Sequence, residues 1–373
     1  MNCSPPPLHA RLYKHALESI FSHLCLAELA IISATCRDWS AAVESMRPIG
    51  ARVHVLPTVV QAILKSRLMR HISGLIVREG SLDVSVIIGI CGIIKTSKSL
   101  VAVTLWYLAR DENMIAIIEA IKQSKSIVTV CLGSYLGSSA FSVAIAIGIA
   151  EAIKQSKCMA SVSLFCDSIC DQGAVAIAEA IVQSTSLTTV CFSCDIGIVG
   201  LSAIADAIKQ SNSLSTIRLH SNTISKFGAA ALAEAIKQST YLTSLEVNDC
   251  SLRDDGAYAI AQGITQSKSL KTVTLRDNII GDDGASAIAD AIKQSTFLNT
   301  VDLGGNEISC IGAFAIAGAI KQSASLTDVN LNFNCIKEEG AAFLAEAINQ
   351  RKSLVSVDLY HNSMDLDGRI AVA

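Results

Sequence analysis

At 373 residues, with 17% charged and 51% hydrophobic side chains, the chain is too apolar for intrinsic disorder and long enough to bury an extensive core. Aromatic residues make up only 5%, so that core must be built from small and branched aliphatic side chains. Thirty basic residues against 33 acidic ones leave a formal charge of −3, which gives no electrostatic reason to expect nucleic acid or an anionic membrane as partner. The 13 cysteines are odd in number and lack a disulfide-module spacing, which implies reduced thiols and a cytoplasmic, or also nuclear, location.

The chain opens with a Pro-rich stretch at residues 1–11, read as a disordered lead-in without the basic start and apolar block of a secretory signal. Residues 12–45 carry helical periodicity. Leu17, Ile20, Phe21 and Leu24 fit one amphipathic helix, and Leu29, Ile32, Cys36 and Trp39 mark a second stretch. Such a small all-α module buries too little surface to stand alone, so its apolar faces should meet a partner helix or the rest of the chain. Residues 46–71 read as a linker and helical cap. The run Leu12, Ile20-Phe21-Ser22-His23-Leu24, Glu28-Leu29 and Cys36-Arg37-Asp38-Trp39 resembles an F-box. Tyr13 stands where that pattern has proline, and Ala16 thins its first apolar pair. The resemblance implies a surface that docks a Skp-type adaptor through Leu12, Leu17, Ile20, Phe21, Leu24, Leu29, Ile32, Cys36 and Trp39. The alternative is a helical cap that shields the start of the larger domain.

From residue 72 onward the chain repeats itself. A strand-like tag, L-x-x-V-x-L, starts at Ile72, Leu100, Ile127, Met159, Leu187, Leu214, Leu242, Leu270, Leu298, Leu326 and Leu354, and the last five steps are each 28 residues. Each tag is followed by a Gly-Ala helix of the AEAIKQS type. In the unit from Leu214, for example, Leu214, Ile217 and Leu219 frame the strand, while Ala231, Leu232, Ala235 and Ile236 recur at helical spacing. Neither element can bury its apolar side alone, so stacked units must share one core. Ser126 to Ala150 carries no charge and is long enough for a bilayer, but it falls in phase with the repeat and is better read as buried array. The third unit carries four extra residues near Gly137 to Ala140.

The pattern L-x-x-L-x-L-x-x-N/C-x-I with its Gly-Ala helix resembles leucine-rich repeats of the ribonuclease-inhibitor and NOD-like-receptor type. The resemblance covers residues 72–373. It implies an α/β leucine-rich-repeat solenoid, a horseshoe with parallel concave strands and convex helices, preceded by the all-α module. Asn222, Asn278, Asn306, Asn334 and Asn362 fill the asparagine position, with Cys250 as the cysteine variant, and Asp167 and Asp195 depart from it. These amides read as structural, each able to satisfy turn backbone on successive repeats. The chain stops soon after Asn362, before another helix, so the last strand edge is expected to lack a cap.

No G-x-x-x-x-G-K-[ST], H-E-x-x-H or G-x-S-x-G is present, and no cofactor is implied. Cys191 and Cys194 form a C-x-x-C, with Cys166 placed one strand away by the register. One such pair falls short of the four ligands that structural zinc needs, so accidental thiols are the simpler reading. Asp254-Asp255-Gly256 and Asp282-Asp283-Gly284 resemble calcium-loop fragments, but they sit at helix starts, where acidic residues act as caps. Lys237, Lys293 and Lys321 complement the opposite helix ends.

Binding should therefore occur at the non-framework strand positions, which differ between otherwise copied units. In the early array these are Trp106, Tyr107 and Phe165, aromatic anchors for an apolar partner segment. Later they are Arg218, His220, Glu246, Asn248, Arg276, Asp302, Asn332, Phe333, Asp358 and Tyr360, flanked by Asp249, Asp277 and His361. Arg218 and Glu246 occupy equivalent neighbouring positions, so part of this charge satisfies itself. Taken with the resemblances, the chain is expected to be the substrate-recognition subunit of a Skp/cullin/F-box ubiquitin ligase, non-catalytic, binding an unidentified protein target. The alternative is a ubiquitin-independent scaffold or regulator built on the same array.

Overall fold

The computed structural model describes residues 51–54, 72–78, 84–106, 111–134, 139–351 and 354–362. The described residues fall into two compact units: one holds those up to Ser134 together with Gln155–Met159, the other those from Ser139 to Lys154 and from Ala160 onward.

In the first unit the described elements are β1 (Ala51–His54), β2 (Ile72–Arg78), α1 (Val84–Thr96), β3 (Ala102–Trp106), α2 (Asp111–Gln123) and β4 (Thr129–Ser134). All four strands run parallel, with Leu75 opposite Val103 and Val103 opposite Val130. β1 lies inside the stretch read from sequence as linker and cap, so among the described residues the sheet starts one strand ahead of the first repeat tag.

In the second unit helices and strands alternate without exception: α3 (Ser139–Gln155), β5 (Ser161–Ser168), α4 (Cys170–Gln183), β6 (Thr189–Asp195), α5 (Ile198–Gln210), β7 (Thr216–His220), α6 (Lys226–Gln238) and β8 (Ser244–Asn248). They continue as α7 (Arg253–Gln266), β9 (Thr272–Thr274), α8 (Asp282–Gln294), β10 (Thr300–Asp302), α9 (Cys310–Gln322), β11 (Asp328–Asn330), α10 (Lys337–Gln350) and β12 (Ser356–Asp358). Each strand pairs in parallel with the next from β5 to β12. Parallel neighbours need a crossover, and each helix supplies it. This is the leucine-rich-repeat solenoid, one strand and one helix per unit.

The tag sets the packing. Val273, Val301 and Val329 are buried beside Leu275, Leu303 and Leu331, while the residues between them point to the other face of the sheet. Helices close the core with small residues. In α8 the buried stripe is Gly284, Ala285, Ile288, Ala289, Ala291 and Ile292, and its alanines let the helix approach the strands and its neighbours closely. At Gly263 of α7 backbone meets backbone, and a Cβ there would lie 2.7 Å from the carbonyl oxygen of Ala233 in α6.

The charge-free stretch 126–150 resolves into β4 and most of α3, and no helix among the described residues is long and apolar enough to cross a membrane. The extra residues of the third unit go at least partly into α3, which has 17 residues against 13 or 14 in the helices α4 to α10.

The asparagine positions join the units. Asn306 Nδ2 donates to the carbonyls of Leu275 (2.9 Å) and Leu303 (2.8 Å), while its Oδ1 accepts from the backbone nitrogens of Asn278 (3.0 Å) and Ile280 (3.1 Å). Asn278, Asn334 and Asn362 repeat the arrangement. At Cys250 the thiol replaces the amide and donates to Leu219 O (3.4 Å) and Asn248 O (3.1 Å), and burial pushes its pKa up to about 12. The residue before each of these is turned into the left-handed region: Ser221, Asp249, Asp277, Gly305, Phe333 and His361 all have φ between 50° and 68°.

Candidate protein-interaction face

Strand pleating sends three residues per unit out of the sheet on the side away from the helices. For β10 they are Thr300, Asp302 and Gly304, and for β11 Asp328, Asn330 and Asn332. This face holds most residues expected from sequence to contact a partner.

At its polar centre, Arg218 on β7 donates through Nε to Glu246 Oε1 on β8 at 2.8 Å. His220 sits half-buried beside them. Burial lowers its pKa, the Glu246 carboxylate pulls it back up, and the Arg218 guanidinium lowers it again. Asn248 accepts from the backbone nitrogen of Arg276 at 3.1 Å.

A second network starts at Arg276. Its guanidinium reaches Asp302 (3.3 Å) and, skipping a strand, Asn332 Oδ1 (3.1 Å). It passes over Gly304, where a Cβ would collide with both Asn332 Oδ1 and the guanidinium. Asn330 Nδ2 donates to Asp302 at 3.1 Å, and Asn332 Nδ2 donates to Asp358 Oδ2 at 3.0 Å. Charges that looked free in sequence are thus largely satisfied within the sheet. Asn330 and Asp328 were missed by sequence reasoning, although the register that gave Asp302 and Asp358 also places them outward.

The far end is aromatic. The Phe333 ring stacks on His361, with centroids 4.5 Å apart and planes at 26°, and Tyr360 meets His361 edge-on at 4.0 Å. Phe333 is 50% exposed and Tyr360 66%. In the other unit, Trp106 at the end of β3 pairs with Gly133 of β4. Its ring covers that glycine so closely that any side chain at 133 would overlap Cε3 and Cζ3. Phe165 is half-buried on β5. Tyr107 and the expected adaptor-docking residues Leu12, Leu17, Ile20, Phe21, Leu24, Leu29, Ile32, Cys36 and Trp39 lie outside the described residues.

The cysteines expected to neighbour one another do so. Cys166 and Cys194 lie on β5 and β6, and the hydrogen bond between their thiols, reinforced by burial, drives the Cys194 pKa far above its ordinary value. Both are buried, and among the described residues no three His, Cys, Asp or Glu side chains come together to hold a metal ion.

The acidic helix starts prove to be caps of a different kind from the one expected. Asp254 Oδ1 accepts from the backbone nitrogens of Gly281 (2.7 Å) and Gly284 (3.0 Å), and Asp282 Oδ1 from those of Ser309 (2.8 Å) and Gly312 (2.9 Å). Each carboxylate thus caps the helix of the following unit, satisfying amides at that helix's start that have no partner within the helix. Among the helix-end lysines, Lys237 and Lys293 pair within their own helices, with Glu234 and Asp290, whereas Lys321 reaches Glu346 on the next helix at 2.9 Å.

The F-box domain family matches residues 10–49. The Leucine Rich repeat family matches residues 238–261, 266–289, 294–317 and 322–345. No curated protein sequence matches the chain. Among solved structures it is similar to the actin-binding site 2 of leiomodin-1 (20% identity, TM-score 0.35, 40% of this chain and 86% of that one). It is also similar to the tropomodulin C-terminal domain of Caenorhabditis elegans (14%, 0.35, 39% and 88%). A third similarity is to TLR13 in the TLR13–ssRNA13 complex (13%, 0.46, 85% of this chain but only 40% of that one). The chain therefore carries an F-box domain followed by leucine-rich repeats, two modules that typically bind proteins and are non-catalytic.

Proposed function

We propose that the chain is the target-recognition subunit of a Skp/cullin/F-box ubiquitin ligase. The observation that carries this reading is the pairing, in one chain, of an F-box at residues 10–49 with a repeat array whose open sheet face displays unit-specific side chains. The F-box residues Leu17, Ile20, Phe21, Leu24, Leu29 and Trp39 would hold a Skp-type adaptor, with Leu12, Ile32 and Cys36 completing the surface. The array would hold the target through Trp106, Phe165, Arg218, His220, Glu246, Asn248, Arg276, Asp302, Asn332, Phe333, Asp358 and Tyr360, with Tyr107 beside them.

Such a subunit performs no chemistry of its own. It raises the effective concentration of a target lysine near a ubiquitin-charged enzyme held elsewhere in the assembly. Such work calls for a cytoplasmic or nuclear location. The test is retention of a purified Skp-type adaptor on the immobilised full chain. Retention by the wild type and its loss in Phe21→Asp and Trp39→Ala support the reading. No retention, or equal retention by all three, would return the chain to the scaffold alternative.

A further inference from the structure

Resting on the target-recognition reading, we infer that the β11–β12 end of the open sheet face binds an arginine-bearing peptide segment. The arginine head would lie between the Phe333, Tyr360 and His361 rings and the carboxylate of Asp358.

Charge selects the occupant. On β7–β10 the carboxylates have basic partners, Glu246 with Arg218 and Asp302 with Arg276. On β11 and β12 the outward residues are Asp328, Asn330, Asn332, Ser356, Asp358 and Tyr360, with no base among them. Among the described residues Asp328 and Asp358 meet only neutral donors, Thr327 Oγ1 for the first and Asn332 Nδ2 with the Tyr360 backbone nitrogen for the second. A carboxylate fixed by neutral donors keeps its charge and spare lone pairs, and so remains an acceptor for an incoming cation.

The rings add a second requirement. Phe333 occupies a left-handed turn position, φ 53°, where the equivalent residues are Ser221, Asp249, Asp277, Gly305 and, in the next unit, His361. Phenylalanine is poorly suited to that conformation, and its half-exposed ring fills no core. Inside the protein the ring stacks on His361 and meets Tyr360 edge-on, and its exposed half stays open to an incoming group. Aromatic faces beside a carboxylate suit guanidinium, which stacks flat and donates in a fork, better than they suit ammonium. An acidic peptide or a phosphate backbone would meet like charge.

The test titrates the full-length chain with a fluorescein-labelled peptide of three Gly-Ser-Arg units, and with its Lys and Glu counterparts, at low salt by fluorescence anisotropy. The expected order is Arg tighter than Lys, with Glu not bound. Phe333→Gly, which suits the turn and should fold at least as well, and Asp358→Asn should each weaken the Arg peptide about tenfold, or about 1.4 kcal/mol. Phe314→Ala on the helix side should leave binding unchanged. Absence of Arg-peptide binding, equal binding of the Glu peptide, or wild-type affinity in both sheet-face variants overturns the inference. Adaptor retention is measured on the same proteins. Peptide discrimination without adaptor retention sinks the ligase reading and leaves this site standing, whereas adaptor retention without peptide discrimination does the reverse.

Discussion

Asp254 Oδ1 lies 3.0 Å from the backbone nitrogen of Gly284, so a carboxylate in the first turn of one helix caps the start of the next. The helices of neighbouring units are therefore tied start to start as well as packed side by side. Asp171 makes the same bond to Gly200 at 2.7 Å.

Removing such a bridge should cost more than removing an ordinary surface carboxylate. Asp282→Ala deletes acceptors for the backbone nitrogens of Ser309 and Gly312 and for Ser309 Oγ at 2.6 Å. The expected loss is about 1–2 kcal/mol, read as a lower urea midpoint. Asp283→Ala, one residue on and exposed, should change the midpoint by much less.

The amide ladder should be less forgiving. Asn306 is 6% exposed and serves five backbone groups at 2.8–3.2 Å. Asn306→Leu strands buried donors and acceptors and is expected to destabilise by about 2–4 kcal/mol. Asn306→Cys should recover part of that loss, because Cys250 already fills the equivalent seat with its thiol bonded to two carbonyls. Chemical denaturation of the three proteins side by side gives the ordering.

These two devices show what the sequence made legible. The 28-residue tag placed the strands, the helices and the structural asparagines of the second unit, since a period and an apolar stripe follow directly from residue order. It did not give β1, which carries no tag. Nor did it give the destination of Asp254, because a first-turn carboxylate looks the same whether it caps its own helix or its neighbour's. The path of Arg276 to Asn332 was hidden for a similar reason: it spans 56 residues and depends on the missing side chain at Gly304. On the open sheet face, the outward columns were readable but their mutual pairing was not, apart from Arg218 and Glu246.

His220 gives a pH signature. Its pKa is lowered, chiefly by burial, so folding favours the neutral ring. Stability from this group is fully present above the unfolded value of about 6.5 and is lost as pH falls through the folded value. Glu246→Gln removes the group that raises the pKa and should move the histidine midpoint further down, as followed by its ring proton shifts.

Trp106 and Gly133 offer a spectroscopic check in the first unit. Gly133→Val leaves no room for the indole, which must swing away from the sheet. In a Trp39→Phe background Trp106 is the single tryptophan, and its emission should shift to the red with a stability loss of about 1–2 kcal/mol from overpacking. Unchanged emission would show that the ring does not rest on Gly133.

The asparagine and aspartate bridges between units span sequence separations of 26 to 31 residues, centred on the repeat length itself. Excising residues 270–297 seats Leu298 where Leu270 was, hands Cys250 the amide of Asn306 in place of Asn278, and offers Asp254 the amides of Ser309 and Gly312. Cutting out one residue fewer would shift every bond that crosses the junction by one position. The array can therefore lengthen or shorten by whole modules, like links in a watch strap, and each gain or loss slides the outward residues along the face without altering how they are held.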